Sequence, residues 1–258
     1  MMQLSPEQIA AMATRMTDDE VVTLAEALLV LDKEKQRSSF QNLFPDEGQY
    51  RRELYPKHLE FFRAGATHRE RLLLAANRFG KTLAAGQEAS FHLTGRYPDW
   101  WEGRRFETSI DAWVAGDTNE TTRDIIQKTL LGEVAWENGK KGCDGVGLIP
   151  HDAHGSVRWK TGVPDLIDYI EIKHESGRNS RLAFKSYDQG RRVFQGTAKH
   201  LIWLDEECPM DVYGECLIRT ATTNGILMLT FTPLLGMSEL VRSFLKPDTG
   251  EVSDGSGQ

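Results

Sequence analysis

The sequence predicts an α/β fold, a mainly parallel sheet flanked by helices, with a small helical subdomain at the N-terminus. Three observations lead there. Short apolar runs that suit buried strands alternate with segments of helical periodicity. One such run passes through a tight loop into Gly80-Lys81-Thr82, which opens a helix. Another, 201–204, is wholly apolar and stops at two acids, Asp205 and Glu206.

Residues 5–36 read as two short helices. Ser5-Pro6-Glu7-Gln8 and Thr17-Asp18-Asp19-Glu20 both carry capping signals, and Val21, Leu24 and Leu28 keep helical spacing. Pro45 and Gly48 break the stretch that follows, and the main domain starts near Tyr55. A strand over 71–76 leads to a helix over 81–94. A strand over 110–116 leads to a helix over 118–131. Gly and Pro make 136–165 an expected irregular loop. Strands over 167–173 and 182–187 form an expected hairpin turning at Ser176-Gly177. The strand 201–204, a helix over 212–220, a strand over 226–231 and a helix over 238–244 complete the domain. The division expected is 1–50 as a helical lid or appendage, 51–247 as the main domain, and 248–258, polar and Gly-rich, as a linker to a further domain.

With 258 residues, 40% hydrophobic and 27% charged, the chain suits a globular core. No apolar run approaches the ~18 residues of a membrane span, and the first residues lack a signal-peptide pattern. Three cysteines suit a reducing compartment and give no disulfide framework. The net charge of −7 is uneven, since the first 50 residues hold nine acids against four bases. The most basic stretch, 178–200, carries Arg178, Arg181, Lys185, Arg191, Arg192 and Lys199 against Asp188. It is either a nucleic-acid face or a solvated surface with ion pairs elsewhere.

The chemistry lies in three motifs. Ala75 to Thr82 meets the phosphate-loop pattern G-x-x-x-x-G-K-[ST] except that Ala75 replaces the first glycine. Backbone N–H groups of Ala76, Asn77, Arg78, Phe79, Gly80, Lys81 and Thr82 would wrap phosphates at a helix N-terminus. Lys81 would reach the terminal phosphates and the Thr82 hydroxyl would hold Mg²⁺. The strand before Asp205 would bring that carboxylate to the same metal, with Glu206 beside it to activate water. Read alone, the pair of acids could be a helix N-terminus. The third motif, Leu229-Thr230-Phe231-Thr232-Pro233, is either a core strand ended by proline or a strand whose threonines sense the terminal phosphate. His151 and His154 lack the cysteine pair of a zinc site, and Trp100-Trp101 reads as packing. Together the first two motifs indicate an ATPase of the P-loop class.

The set AANRFGKT, LIWLDEE and LTFTP resembles the N-terminal ATPase domain of tailed-phage terminase large subunits, over about residues 50–245. The resemblance implies an ASCE-type P-loop fold and an ATP-hydrolysing motor that translocates double-stranded DNA into a procapsid. It implies ATP and Mg²⁺ as cofactors, with Lys81, Arg78 and Glu206 catalytic, Thr82 and Asp205 on the metal, and Thr230 and Thr232 in coupling. Arg191 or Arg192 would act across a subunit boundary of a homo-oligomeric ring, or contact the DNA backbone. Portal protein and the small terminase subunit are the implied partners, the host cytoplasm is the implied location, and the piece alone is expected to be monomeric. Where the family carries an adenine-contacting glutamine, this chain has Tyr55-Pro56-Lys57-His58. No nuclease activity is expected of this stretch. The rival readings are a helicase-like remodelling ATPase, a P-loop kinase and a non-hydrolysing nucleotide-binding regulator.

Overall fold

The computed structural model describes residues 17–39, 43–48, 50–137, 139–234 and 236–245. The helix expected over the first 16 residues and the linker at 248–258 lie outside them. The first described helix, α1 (Asp18–Ser39), is a single element of 22 residues. Thr17 caps it, accepting from the Glu20 amide at 3.4 Å while its own amide donates to the Glu20 carboxylate at 2.9 Å. A helix that the sequence reading left out, α2 (Pro56–Ala64), opens the main domain with proline at its first position. Phe44 is buried against Tyr55, His58, Phe62 and Trp100, so the main core begins before residue 51.

Next come β1 (Glu70–Leu74), α3 (Lys81–Thr94) and β2 (Asp111–Gly116). The helical segment α4 runs through Asn119–Thr121, a π turn at Thr122–Gln127 and Lys128–Leu131. The stretch 136–165 is more regular than expected. It holds a ribbon of β3 (Val134–Glu137) and β4 (Lys140–Cys143) and the strand β5 (His154–Trp159). Then follow β6 (Ile167–Lys173), β7 (Asn179–Ser186), β8 (Leu201–Asp205), α5 (Met210–Ala221), β9 (Ile226–Phe231) and α6 (Glu239–Leu245).

Seven strands form one sheet in the order β1-β9-β8-β2-β7-β6-β5. The first five are mutually parallel, and β6 and β5 are added antiparallel. Burial follows from that position. The central strands β8 and β9 are buried at every residue, as continuous apolar runs require when helices cover both faces. In β7 buried residues alternate with less buried ones. Because successive side chains point to opposite faces, Leu201 and Trp203 join the core under α3, while Ile202 and Leu204 join the core under α5. Helix α3 is buried along nearly its whole length. Its Gly86 permits this, because a Cβ there would stand 2.7 Å from Leu148 Cδ1.

The β9 strand lies between the strand that feeds the phosphate-loop motif and the strand that ends in acids. Its register pairs Phe231 with Leu74 on one side and Thr230 with Asp205 on the other. The three motifs therefore meet at the carboxyl ends of adjacent parallel strands, the usual place for a site in such a sheet.

Candidate nucleotide site

The loop between β1 and α3 has two residues in the left-handed region, Arg78 at φ 65° and Gly80 at φ 77°. Such turns gather successive backbone N–H groups into a concave surface that suits anions. Helix α3 begins on Gly80 without a side-chain cap and without an acid in its first turn, so its positive end is not offset. The Lys81 ammonium donates to the carbonyls of Ala75 and Ala76, both at 3.0 Å, and to Thr232 Oγ1 at 2.8 Å. Its acceptors are neutral, and no ion pair engages it among the described residues.

Asp205 is buried at the end of β8. Thr230 Oγ1 donates to its Oδ1 at 2.6 Å and in turn accepts from the Trp203 indole N–H at 2.7 Å. The Thr82 hydroxyl lies 3.3 Å from both carboxylate oxygens. Burial pushes the Asp205 carboxyl up to about 6; the Thr230 bond works against this and the Glu206 charge adds to it. A buried carboxylate beside a hydroxyl at a helix start is a hard-oxygen donor set of the kind Mg²⁺ takes. Glu206, next along, is exposed and left-handed at φ 68°. Its amide donates to the Thr230 carbonyl at 2.8 Å. Thr232 Oγ1, just past the end of β9, also lies 2.8 Å from Asn77 Oδ1, so the segment leaving β9 touches the phosphate-loop motif directly.

His58 is buried, and its Nε2 lies 3.0 Å from the Phe79 carbonyl with the two rings stacked. Burial lowers its pKa, and because a carbonyl only accepts, Nε2–H donates and steadies the loop. A largely apolar cavity of about 520 Å³ adjoins the loop, lined by His58, Phe61, Leu72, Phe79 and Phe244 among others.

The basic stretch 178–200 does not form one exposed face, which favours the second of its two readings, a surface with ion pairs to acids elsewhere. Lys199 is buried and paired with Asp111 at 3.0 Å. Lys185 sits over the Trp113 ring, and Arg181 over Tyr169. Arg191 donates to Glu215 of α5 through Nε at 2.9 Å, and Arg219 holds the other carboxylate oxygen. Arg181 and Lys185, four residues apart on β7, share one face of the sheet, and the turn after β7 carries Arg191 to α5. Arg78 and Arg192 are exposed and make no ion pair among the described residues.

Trp101 is buried and its indole donates to Arg104 O, so the tryptophan pair packs as expected. His154 Nε2 meets the Ile149 carbonyl and His151 faces Glu137. Among the described residues no group of three or more His, Cys, Asp or Glu is arranged to hold a metal. The three cysteines are buried and free. Two residues the motifs did not flag also belong to the site, Trp203 and Tyr187. An indole inside a wholly apolar strand was the available signal, because a buried N–H needs an acceptor.

Comparisons with known proteins identify the family. A family model described as terminase large subunit, T4likevirus-type, N-terminal, matches residues 72–253. The chain is similar to the terminase large subunit of Salmonella phage P22, 35% identical over 258 residues, covering 93% of this chain and 49% of that protein. It is similar to the terminase large subunit of Enterobacteria phage LP7, 25% identical over 256 residues, covering 93% and 50%. A solved large terminase from a thermophilic bacteriophage, in complex with ADP, aligns with TM-score 0.44 and 13% identity over 68% of this chain and 37% of that one. The chain spans about half the length of the curated relatives it matches.

Proposed function

This chain belongs to the family of terminase large subunits, and on that premise we propose that it is the ATP-hydrolysing motor domain of a viral DNA-packaging machine. In this reading the motor runs to residue 247 and takes in the core from Phe44 onward, and the segment before it is a lid or appendage. The observation that carries it is the meeting of Lys81, Thr82, Asp205 and Thr232 at the ends of three adjacent parallel strands.

The backbone of residues 76–82 and the α3 N-terminus hold the triphosphate of ATP. Lys81 exchanges its neutral acceptors for phosphate oxygens, and Arg78, exposed on the same loop, adds a second positive charge. Thr82 and Asp205 would hold Mg²⁺, which when bound offsets charge on the phosphate oxygens. Glu206 takes a proton from the water that attacks the γ-phosphorus while the bond to the ADP oxygen breaks. Thr232 bonds Lys81 and Thr230 bonds Asp205, so β9 is tied to both ends of the site and is suited to report hydrolysis. Arg192 is the better of the two arginines for a trans-acting role in a homo-oligomeric ring, since Arg191 is engaged with Glu215. Double-stranded DNA is the translocated polymer, with portal protein and the small terminase subunit as partners in the host cytoplasm.

The test is phosphate release by the purified chain with ATP and Mg²⁺, with and without linear duplex DNA. We expect turnover that DNA raises, and loss of both nucleotide binding and turnover in Lys81→Ala. No nucleotide binding by the unaltered chain, or a phosphorylated acceptor in place of free phosphate, would remove this reading.

A further inference from the structure

We propose that Tyr187 is a positioning residue for Glu206, holding the backbone turn at the end of β8 through its phenol. The inference rests on the ATPase reading above and names a residue that reading does not use. Tyr187 follows β7 and is buried. Its hydroxyl lies 2.9 Å from the Asp205 carbonyl, 3.2 Å from the Ala115 carbonyl and 3.4 Å from the Glu206 carbonyl. A phenol has one proton to give. The shortest contact takes the bond, and the other two oxygens face the same positive hydrogen.

The need for such a donor comes from the backbone. Glu206 is left-handed at φ 68°, a conformation that side-chain-bearing residues rarely adopt, and it is held only where the surroundings over-determine it. One hold is the Glu206 amide on the Thr230 carbonyl at 2.8 Å. The other is Tyr187, on the opposite side of β8, which ties the ends of β2, β7 and β8 together. The phenol is itself fixed. Its ring packs against Phe194, which is fully buried and meets Trp113 edge-on. Burial raises its pKa well above the ordinary tyrosine value, so it remains a donor throughout the working range.

The placement has a consequence for signalling. Tyr187 and Phe194 bracket two short turns, the second of which carries Arg191 and Arg192, and Gly190, at φ 71°, lets the chain reverse between them. A contact made at that exposed loop therefore reaches the Glu206 backbone through one packed ring and one hydrogen bond.

The test is Tyr187→Phe, which keeps the ring and removes only the hydroxyl. Steady-state hydrolysis, binding of a fluorescent ATP analogue and amide exchange over 205–207 are measured beside the unaltered chain and Glu206→Gln. A misplaced catalytic group costs on the order of 10² in rate at an ångström's displacement, so kcat should fall about 10- to 100-fold. KM for ATP and analogue binding should stay within about twofold, because Lys81 and the loop are untouched. Exchange over 205–207 should quicken while exchange in β9 holds, a change that remains readable even if the variant is less stable. An unchanged kcat in Tyr187→Phe, or slower and faster exchange spread evenly over the sheet, overturns the inference. Glu206→Gln turning over at the rate of the unaltered chain would instead remove Glu206 as the base, and no release of phosphate by the unaltered chain would remove the ATPase reading beneath it.

Discussion

Replacing Thr230 by valine tests whether the relay from Trp203 to Asp205 is a structural necessity. Valine matches threonine in shape, so the exchange removes a hydroxyl and leaves no cavity. Thr230 and Trp203 are both fully buried, and water cannot take the lost partner's place. The indole N–H, now 2.7 Å from a methyl group, loses its acceptor, at a cost of about 1–3 kcal/mol. Asp205 loses a 2.6 Å bond of the charge-assisted kind, worth about 1.5–3 kcal/mol. The added apolar methyl returns roughly 0.8 kcal/mol. The net loss is about 2–5 kcal/mol, which for a domain of this size lowers Tm by roughly 4–20 °C. Thr230→Ser is the informative partner. It keeps both hydrogen bonds and loses one methyl group, at about 1 kcal/mol. Strand propensity and hydrophobicity both rank valine above serine in a buried strand, so only the relay puts serine ahead. Thermal and urea unfolding of the three proteins give the order. Valine at or above serine would refute the reasoning.

Further outcomes follow from the same geometry. His58, His92, His174 and His200 all have pKa values lowered by burial, so the unfolded chain binds more protons below about 6.5 and stability is lost as pH falls from there through the folded values. Asp205, raised to about 6, works in the other direction but is one group against four; Tm should therefore drop between pH 7 and pH 5, and a flat or rising profile contradicts this. Arg192→Ala should cut hydrolysis by about 10³-fold if the arginine acts in trans, with rescue on mixing with Lys81→Ala; hydrolysis independent of concentration and untouched by the change rules the role out. Thr232→Val should spare ATP binding while the full-length protein loses packaging; equal loss of both would assign Thr232 a role in holding Lys81 only.

The central sheet was legible because its strands are continuous apolar runs. Residues 201–204 and 226–231 announce burial on both faces, and Gly80-Lys81-Thr82 marks where a strand gives way to a helix. The ribbon and edge strand within 136–165 were not legible. Val134–Glu137 and Lys140–Cys143 are short, and the second is half lysine, so neither has a clear alternation of polar and apolar residues. Pairing across the ribbon and against β6, which lies in no local pattern, makes them strands. In the site, Lys81, Thr82, Asp205 and Glu206 could be picked out because their chemistry is written in contiguous motifs. The bonds of Trp203 to Thr230 and of Tyr187 to the Asp205 carbonyl depend on the register of strands far apart in sequence. Likewise Arg191 reads as an available charge until α5 brings Glu215 against it.

The central claim is that this arrangement hydrolyses ATP with Glu206 as the base. The direct measurement is single-turnover hydrolysis of ATP by Glu206→Gln beside the unaltered chain, with nucleotide binding followed in the same samples. Glutamine keeps the size and one acceptor oxygen but cannot take the proton. Binding should hold, while hydrolysis falls by about 10²-fold or more. Turnover at the rate of the unaltered chain, with binding intact, would contradict the account.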